Sequence, residues 1–250
     1  MSNPTVVFFS GFHDRVVELS KSLVFNKDQI LHFHVMALYG SILEYASSML
    51  ILTKDGPKWS IPVVFRSLLD ASLDLLNLCK EPTYGHRLEV EHLRGWKDFL
   101  GHAIRGESEY LNELGQMPEI KLEHQGVKAR MEELKSQGYS GIGMAEKFKI
   151  LDMEDEYFSI YKMLNSHAHN SISALQQRHI ERDEGDFQIV YYKDTPLEHV
   201  EQYFGMAIEL IMRCSEKLHE VFDSPVQQEI QELRQDVDAL RADTETRLGH

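Results

Sequence analysis

Apolar residues recur every three or four positions along most of the chain, the period of helices that each bury one stripe. The punctuating residues predict where those helices begin and end. Ser10 or Asp14 opens a helix reaching about residue 24, and Asp28 caps a second that runs to about residue 54. Asp55-Gly56-Pro57 stops it, and Ser60 followed by Ile61-Pro62 starts a third that continues through residue 78. Further helices are expected over about 83–106, 118–137, 144–149, 153–164, 168–176 and 196–222, with a glycine-rich linker at 138–143. Only one stretch reads as β. Segments 178–181 and 187–193 flank Arg182-Asp183-Glu184-Gly185-Asp186, and Ile189, Val190, Tyr191 and Tyr192 supply strand-forming residues. The expected fold is therefore all-α in class, mainly an antiparallel helical bundle over 1–222 with one small β-hairpin near 178–193.

The last segment, 225–250, carries a heptad seam in which Val226, Ile230, Leu233, Val237 and Leu240 alternate at spacings of four and three. β-branched residues alternating with leucine favour a two-stranded parallel coil, so a homodimer through Ile230, Leu233, Val237 and Leu240 is expected. The seam is short, and an amphipathic helix folded back on its own body fits the same pattern. The most apolar run is 30–53, long enough to span a bilayer, but it contains His32, His34 and Glu44. It is read as a helix buried inside a soluble protein. No secretory signal is apparent at residues 1–9, so a cytoplasmic setting with no membrane partner is expected.

Composition narrows the function classes. Forty acidic against 26 basic residues give a formal charge of -14, which argues against a protein that coats nucleic acid but leaves room for a small local basic site. The two cysteines, Cys79 and Cys214, exclude a disulfide scaffold and lack zinc-finger partners. There is no phosphate loop, nucleophile elbow or dinucleotide fingerprint, so no cofactor and no metal is implied. The pairs Glu89/His92 and Glu216/His219 have di-iron spacing, but such pairs arise by chance at about this frequency. A carboxylate bundle using Glu44, Glu89 and His92 would need a further bridging ligand. The methionines are scattered and read as core filling, and His32 and His34 as core or interface histidines.

Two constellations carry possible chemistry. On the third helix, Arg66, Asp70, Asp74 and Asn77 form one narrow polar stripe on an otherwise apolar surface. Such a stripe can line a polar pocket, and it equally fits a plain solvent face with a weak Arg66–Asp70 pair. The second is Tyr161-Lys162-Met163-Leu164-Asn165-Ser166-His167-Ala168-His169-Asn170, a polar break between two apolar helical turns. In a helix His167 and His169 point about 200° apart and cannot share a metal. Either imidazole can act as a general base, and either can simply cap backbone groups at a helix junction.

Three stretches together resemble a bacterial helical family, domain of unknown function 5677. They are Ala37-Leu38-Tyr39-Gly40-Ser41-Ile42-Leu43-Glu44, Ile61-Pro62-Val63-Val64-Phe65-Arg66-Ser67-Leu68-Leu69-Asp70-Ala71, and the Tyr161 to Asn170 segment. The family often has glutamate at the Asp70 position and one histidine where this chain has two. The resemblance implies an all-helical, HEPN-like body of the kind found in toxin and phage-defence loci. It further implies that Arg66 and Asp70 face His169 or His167 across a groove, with Tyr39, Glu44, Tyr161 and Asn165 near the substrate. On that basis the expected activity is that of a metal-independent RNA endonuclease, with RNA or a partner protein as ligand. A non-enzymatic helical interaction module that dimerises through its C-terminal helix is the competing expectation.

Overall fold

In the computed structural model, which describes residues 3–183, 185–193 and 195–248, the chain is almost entirely helical. The first helix, α1 (Pro4–Ser20), begins earlier than the apolar period suggests. The Asn3 side chain accepts from the Val6 amide, and Pro4 sits in the first turn, where its missing N–H costs nothing. After it come α2 (Ile30–Asp55), a 3-10 turn at Lys58–Ser60, and α3 (Ile61–Lys80). Next are α4 (Tyr84–Arg105), α5 (Asn112–Gln116), α6 (Pro118–Ser136) and α7 (Met144–Ile150). One continuous helix then runs from α8 (Glu154–Glu156) through a π turn at Tyr157–Tyr161 into α9 (Lys162–Ala168). The chain closes with α10 (Ile172–His179), strands β1 (Ile180–Asp183) and β2 (Asp186–Ile189), α11 (Glu198–Val221) and α12 (Gln227–Leu248).

The hairpin pairs antiparallel in the register Ile180↔Ile189, with Gly185 at φ 101 in its turn; Glu184 lies outside the described residues. β1 keeps the expected four residues but lies two positions later, and β2 ends at Ile189, short of the expected 193.

The chain divides into two compact units, 1–80 with 148–250, and Glu81–Lys147. In the first, α3 is the central element, packed by α2, α9 and α11. Leu68, Leu73, Leu75 and Leu78 on α3 are fully buried, with Ile42 and Met49 of α2, Phe9 of α1, and Phe204 and Ile211 of α11. The second unit is built from α4, α5 and α6 around Leu100, Ile120 and Val127. Gly115 is required there, because a Cβ would lie 1.9 Å from the Ala103 carbonyl oxygen. Arg130 ties α6 to α4 by a two-pronged contact with Glu89 at 2.7 and 2.9 Å.

One expectation is corrected here. The run 30–53 is not a fully buried helix: α2 buries Val35, Tyr39, Ile42, Ala46 and Met49 and exposes Phe33, His34, Ala37, Gly40, Glu44 and Ile51. His34 therefore stands at the surface, whereas His32 packs edge-on against Phe222. The heptad seam, for its part, is occupied within the chain. Ile230, Leu233 and Val237 are buried where α12 packs on α1 and α11, and Leu240 is half-buried. These positions pack on the chain's own body, and α12 lies within the first unit. The seam is too short to sustain a coil alone, and α11 supplies the missing apolar surface. Arg234 fastens the contact. Its Nε and Nη2 donate to Glu216 and its Nη1 to Glu209, all at 2.8 Å.

Arg234→Ala should cost about 1–2 kcal/mol, because the pairs are bidentate yet part-exposed. The loss should appear as a lower melting temperature, with faster amide exchange concentrated in 227–248. A pH effect follows from His219 of α11, which is buried with neither ring nitrogen hydrogen-bonded among the described residues. Burial lowers its pKa below the ordinary histidine value. The unfolded chain then binds the proton first, so stability present at neutral pH is lost as pH falls below about 6.5. His219→Leu should flatten that decline in chemical denaturation measured from pH 7.5 to 5.

Candidate functional site

The polar stripe of α3 turns inward at Arg66. A guanidinium carries five N–H donors in a rigid fork, and a half-buried one must find acceptors inside the protein. Arg66 finds three on two elements. Its Nε donates to Asn165 Oδ1 at 2.7 Å, its Nη2 donates to the Tyr161 hydroxyl at 2.7 Å, and its Nη1 lies 3.2 Å from Asp70 Oδ2. The same guanidinium sits 5.0 Å from the centroid of the Tyr161 ring, within cation–π range. Arg66 and Asp70 are 23% and 29% exposed, so this network is neither solvent-bathed nor sealed.

Local geometry explains why Tyr161 and Asn165 arrive together. They are one turn apart on the helix that enters through the π turn, and Tyr161 is the last residue of that turn. Phe148 packs edge-on against the Tyr161 ring, and Tyr157 stacks on it, which hold the hydroxyl toward α3. A π turn takes up one more residue than an α turn, and such turns recur at functional sites.

The histidines part company. The expected break at 165–167 does not occur; α9 stays helical through Ala168, and the chain turns at Asn170, which adopts φ 51. His169 caps α9, donating its backbone N–H to the Asn165 carbonyl at 3.0 Å, and its side chain is exposed. His167 points away from Asn165, as helical spacing requires. It is buried, stacks on Trp59 at 6.2 Å, and leaves Nδ1 without a partner among the described residues. Burial, then the Arg178 charge, lowers its pKa, so it is neutral at physiological pH. Arg178 donates from Nη2 to the His167 carbonyl at 2.9 Å.

Of the residues singled out from the sequence, the structure brings Arg66, Asp70, Tyr161 and Asn165 together and sets His169 one turn beyond Asn165. It does not bring Tyr39 or Glu44 to them. The Tyr39 hydroxyl is buried 2.7 Å from Ser215 Oγ of α11, and burial raises its pKa above the usual tyrosine value. Glu44 is exposed on the outer face of α2. Asn77 turns to its own helix, donating to the Leu73 carbonyl at 2.8 Å. Trp59, Arg178 and Lys193, which surround His167, were not singled out; the tryptophan beside the third helix's start was the available signal. Glu89 and Glu216 are engaged by Arg130 and Arg234, and the described residues hold no group of three or more metal-ligating side chains. Burial raises the Cys79 thiol to about 11 and Cys214 to about 12, so neither is primed as a nucleophile.

The Arg66–Tyr161 contact is testable as a coupling. Tyr161→Phe should cost about 1 kcal/mol and Arg66→Ala about 3 kcal/mol, since the latter strands three acceptors. A double-mutant cycle by urea denaturation should give a coupling near 1 kcal/mol, and additivity would show that the hydroxyl contact contributes nothing.

No curated protein and no solved structure matches this chain. The model of one family does, over residues 32–187, a span that runs from α2 into the hairpin and contains both α3 and the Tyr161 to Asn170 segment. This chain belongs to that family, described as the family of unknown function DUF5677.

Proposed function

We propose that the protein is a cytoplasmic, metal-independent RNA endonuclease of the kind that serves in bacterial toxin or defence systems, acting at the Arg66 network. The observation that carries this reading is the direct bonding of Arg66 to Tyr161 and Asn165. It joins the two polar constellations of the sequence in one place, with the exposed His169 one turn away.

In this reading the His169 imidazole takes the proton from a ribose 2′-hydroxyl as the 2′-oxygen attacks phosphorus. The 5′-oxygen leaves and is protonated by water. Arg66, with N–H groups beyond those already engaged, stabilises the charge that builds on the phosphate. Asp70 and Asn165 fix the guanidinium, and Tyr161 supports its face. The acidic surface weakens general RNA binding, so the substrate is selected by shape or delivered by a partner.

A second reading is favoured by one fact: the three Arg66 nitrogens are already engaged within the protein. The network would then be a clasp between α3 and α9 in a non-enzymatic interaction module. Purified protein incubated with structured and single-stranded RNA separates the two. Cleavage is expected, with Arg66→Ala and His169→Ala each lowering it about 100-fold or more, and circular dichroism confirming that both variants stay folded. Equal cleavage by the variants, or none by the native chain with its partner supplied, rejects the nuclease reading.

A further inference from the structure

Beside the buried His167 lies a cleft that the Arg66 network does not use. It consists of two cavities, about 670 and 560 Å³, that share Trp59, Lys193 and Thr195 in their walls. Each has the size of a small-molecule site. One is open at the hairpin end, where Tyr191 and Tyr192 are 77% and 92% exposed. The other reaches inward to His167 and Tyr203.

Three features set this cleft apart from the rest of the surface. The first is charge. In a chain of formal charge -14, the described residues lining the two cavities include Arg178 and Lys193 and no carboxylate. Among the described residues Arg178 is bonded to uncharged oxygens, the His167 carbonyl and Asn170 Oδ1. Lys193 donates to the Ile180 carbonyl at 3.4 Å and forms a long ion pair with Glu181, at 3.9 Å, with which an incoming phosphate would have to compete. The second is unmet polar demand. His167 is 6% exposed, and its Nδ1, the Trp59 indole Nε1 and the Arg178 Nε are all buried without a hydrogen-bond partner among the described residues. Three such atoms around one cleft are costly unless a polar guest or water supplies the missing bonds. The third is backbone strain at the rim. Tyr192, in the wall of the outer cavity, holds φ 56, a left-handed value that a bulky residue such as tyrosine rarely adopts and that recurs at ligand clamps.

Cations set among flat aromatic rings match a ligand that carries both a phosphate and an aromatic ring. We propose that this cleft binds a nucleotide, its base stacked against Tyr191, Tyr192 and Trp59 and its phosphate held by Arg178 and Lys193. His167 adds an acceptor for a base or ribose donor. The same chemistry is offered by a free mononucleotide and by one nucleotide of a single strand. The inference stands independently of RNA cleavage at Arg66 and His169, because it is read by binding.

Trp59 is itself the probe. The full chain has two tryptophans, so Trp96→Phe leaves Trp59 alone. Its fluorescence should change saturably with AMP or UMP, and adenosine or inorganic phosphate alone should bind at least about tenfold more weakly. A ten-nucleotide single-stranded RNA forms the second arm. If it binds more tightly than AMP, the source is a strand; if AMP binds and the RNA does not, the source is a free nucleotide; either result supports the site. Lys193→Ala, and the pair Tyr191→Ala with Tyr192→Ala, should each weaken binding about tenfold. The two tyrosines are exposed enough that removing them leaves the fold intact, and circular dichroism checks this. No saturable change with any probe up to millimolar concentration overturns the proposal. So does phosphate binding as tightly as AMP, or nucleotide binding that the Lys193 and tyrosine variants leave unchanged.

Discussion

The first unit is organised around a helix with almost no outside. α3 is covered by α2, α9 and α11, and its buried positions occupy nearly the whole circumference. A helix so placed can keep polar side chains only if its neighbours satisfy them. Arg66 is the most demanding of these, and its partners Tyr161 and Asn165 come from a segment 95 to 99 residues further along. A guanidinium left unpaired in such a place would cost about 3–5 kcal/mol, so this contact also decides which helix may lie over α3. In sequence, the whole second unit, Glu81–Lys147, is inserted between the two halves of the clasp.

The stripe on α3 was legible because a buried helix with four polar residues at one azimuth is uncommon, and Ser60 with Pro62 marked its start. The hairpin was legible from its β-branched and aromatic residues. What could not be read was how those elements meet. The His167 to Asn170 segment looked like a polar interruption, yet His167 is polar only in composition, since it lies inside the protein against Trp59. The start of α1 was hidden because Asn3 and Pro4 precede any apolar period. The α12 seam has the spacing of a two-stranded coil, but spacing does not say whose surface fills it; here α1 and α11 do. Tyr39 and Glu44 share a short motif and still face opposite ways, one to Ser215 and one to solvent.

Electrostatics separate the two polar regions of the first unit. At Arg66 a carboxylate sits beside the cation, and local charge is close to balanced. Around His167 and Arg178 the described lining residues are cations and neutral groups. Attraction of an anion to the second region therefore has to work against the field of a strongly acidic chain. That field is screened as salt rises, while contacts inside a part-enclosed cleft are screened less.

The π turn at Tyr157–Tyr161 stores one residue of slack in the helix that faces α3. An ordinary α turn over the same span would be one residue shorter and would leave the far end in place. Loss of a single residue at 157–160 would therefore leave an ordinary α turn without rotating Tyr161 and Asn165 off Arg66. The clasp is buffered against such a loss where its helix departs from regular geometry.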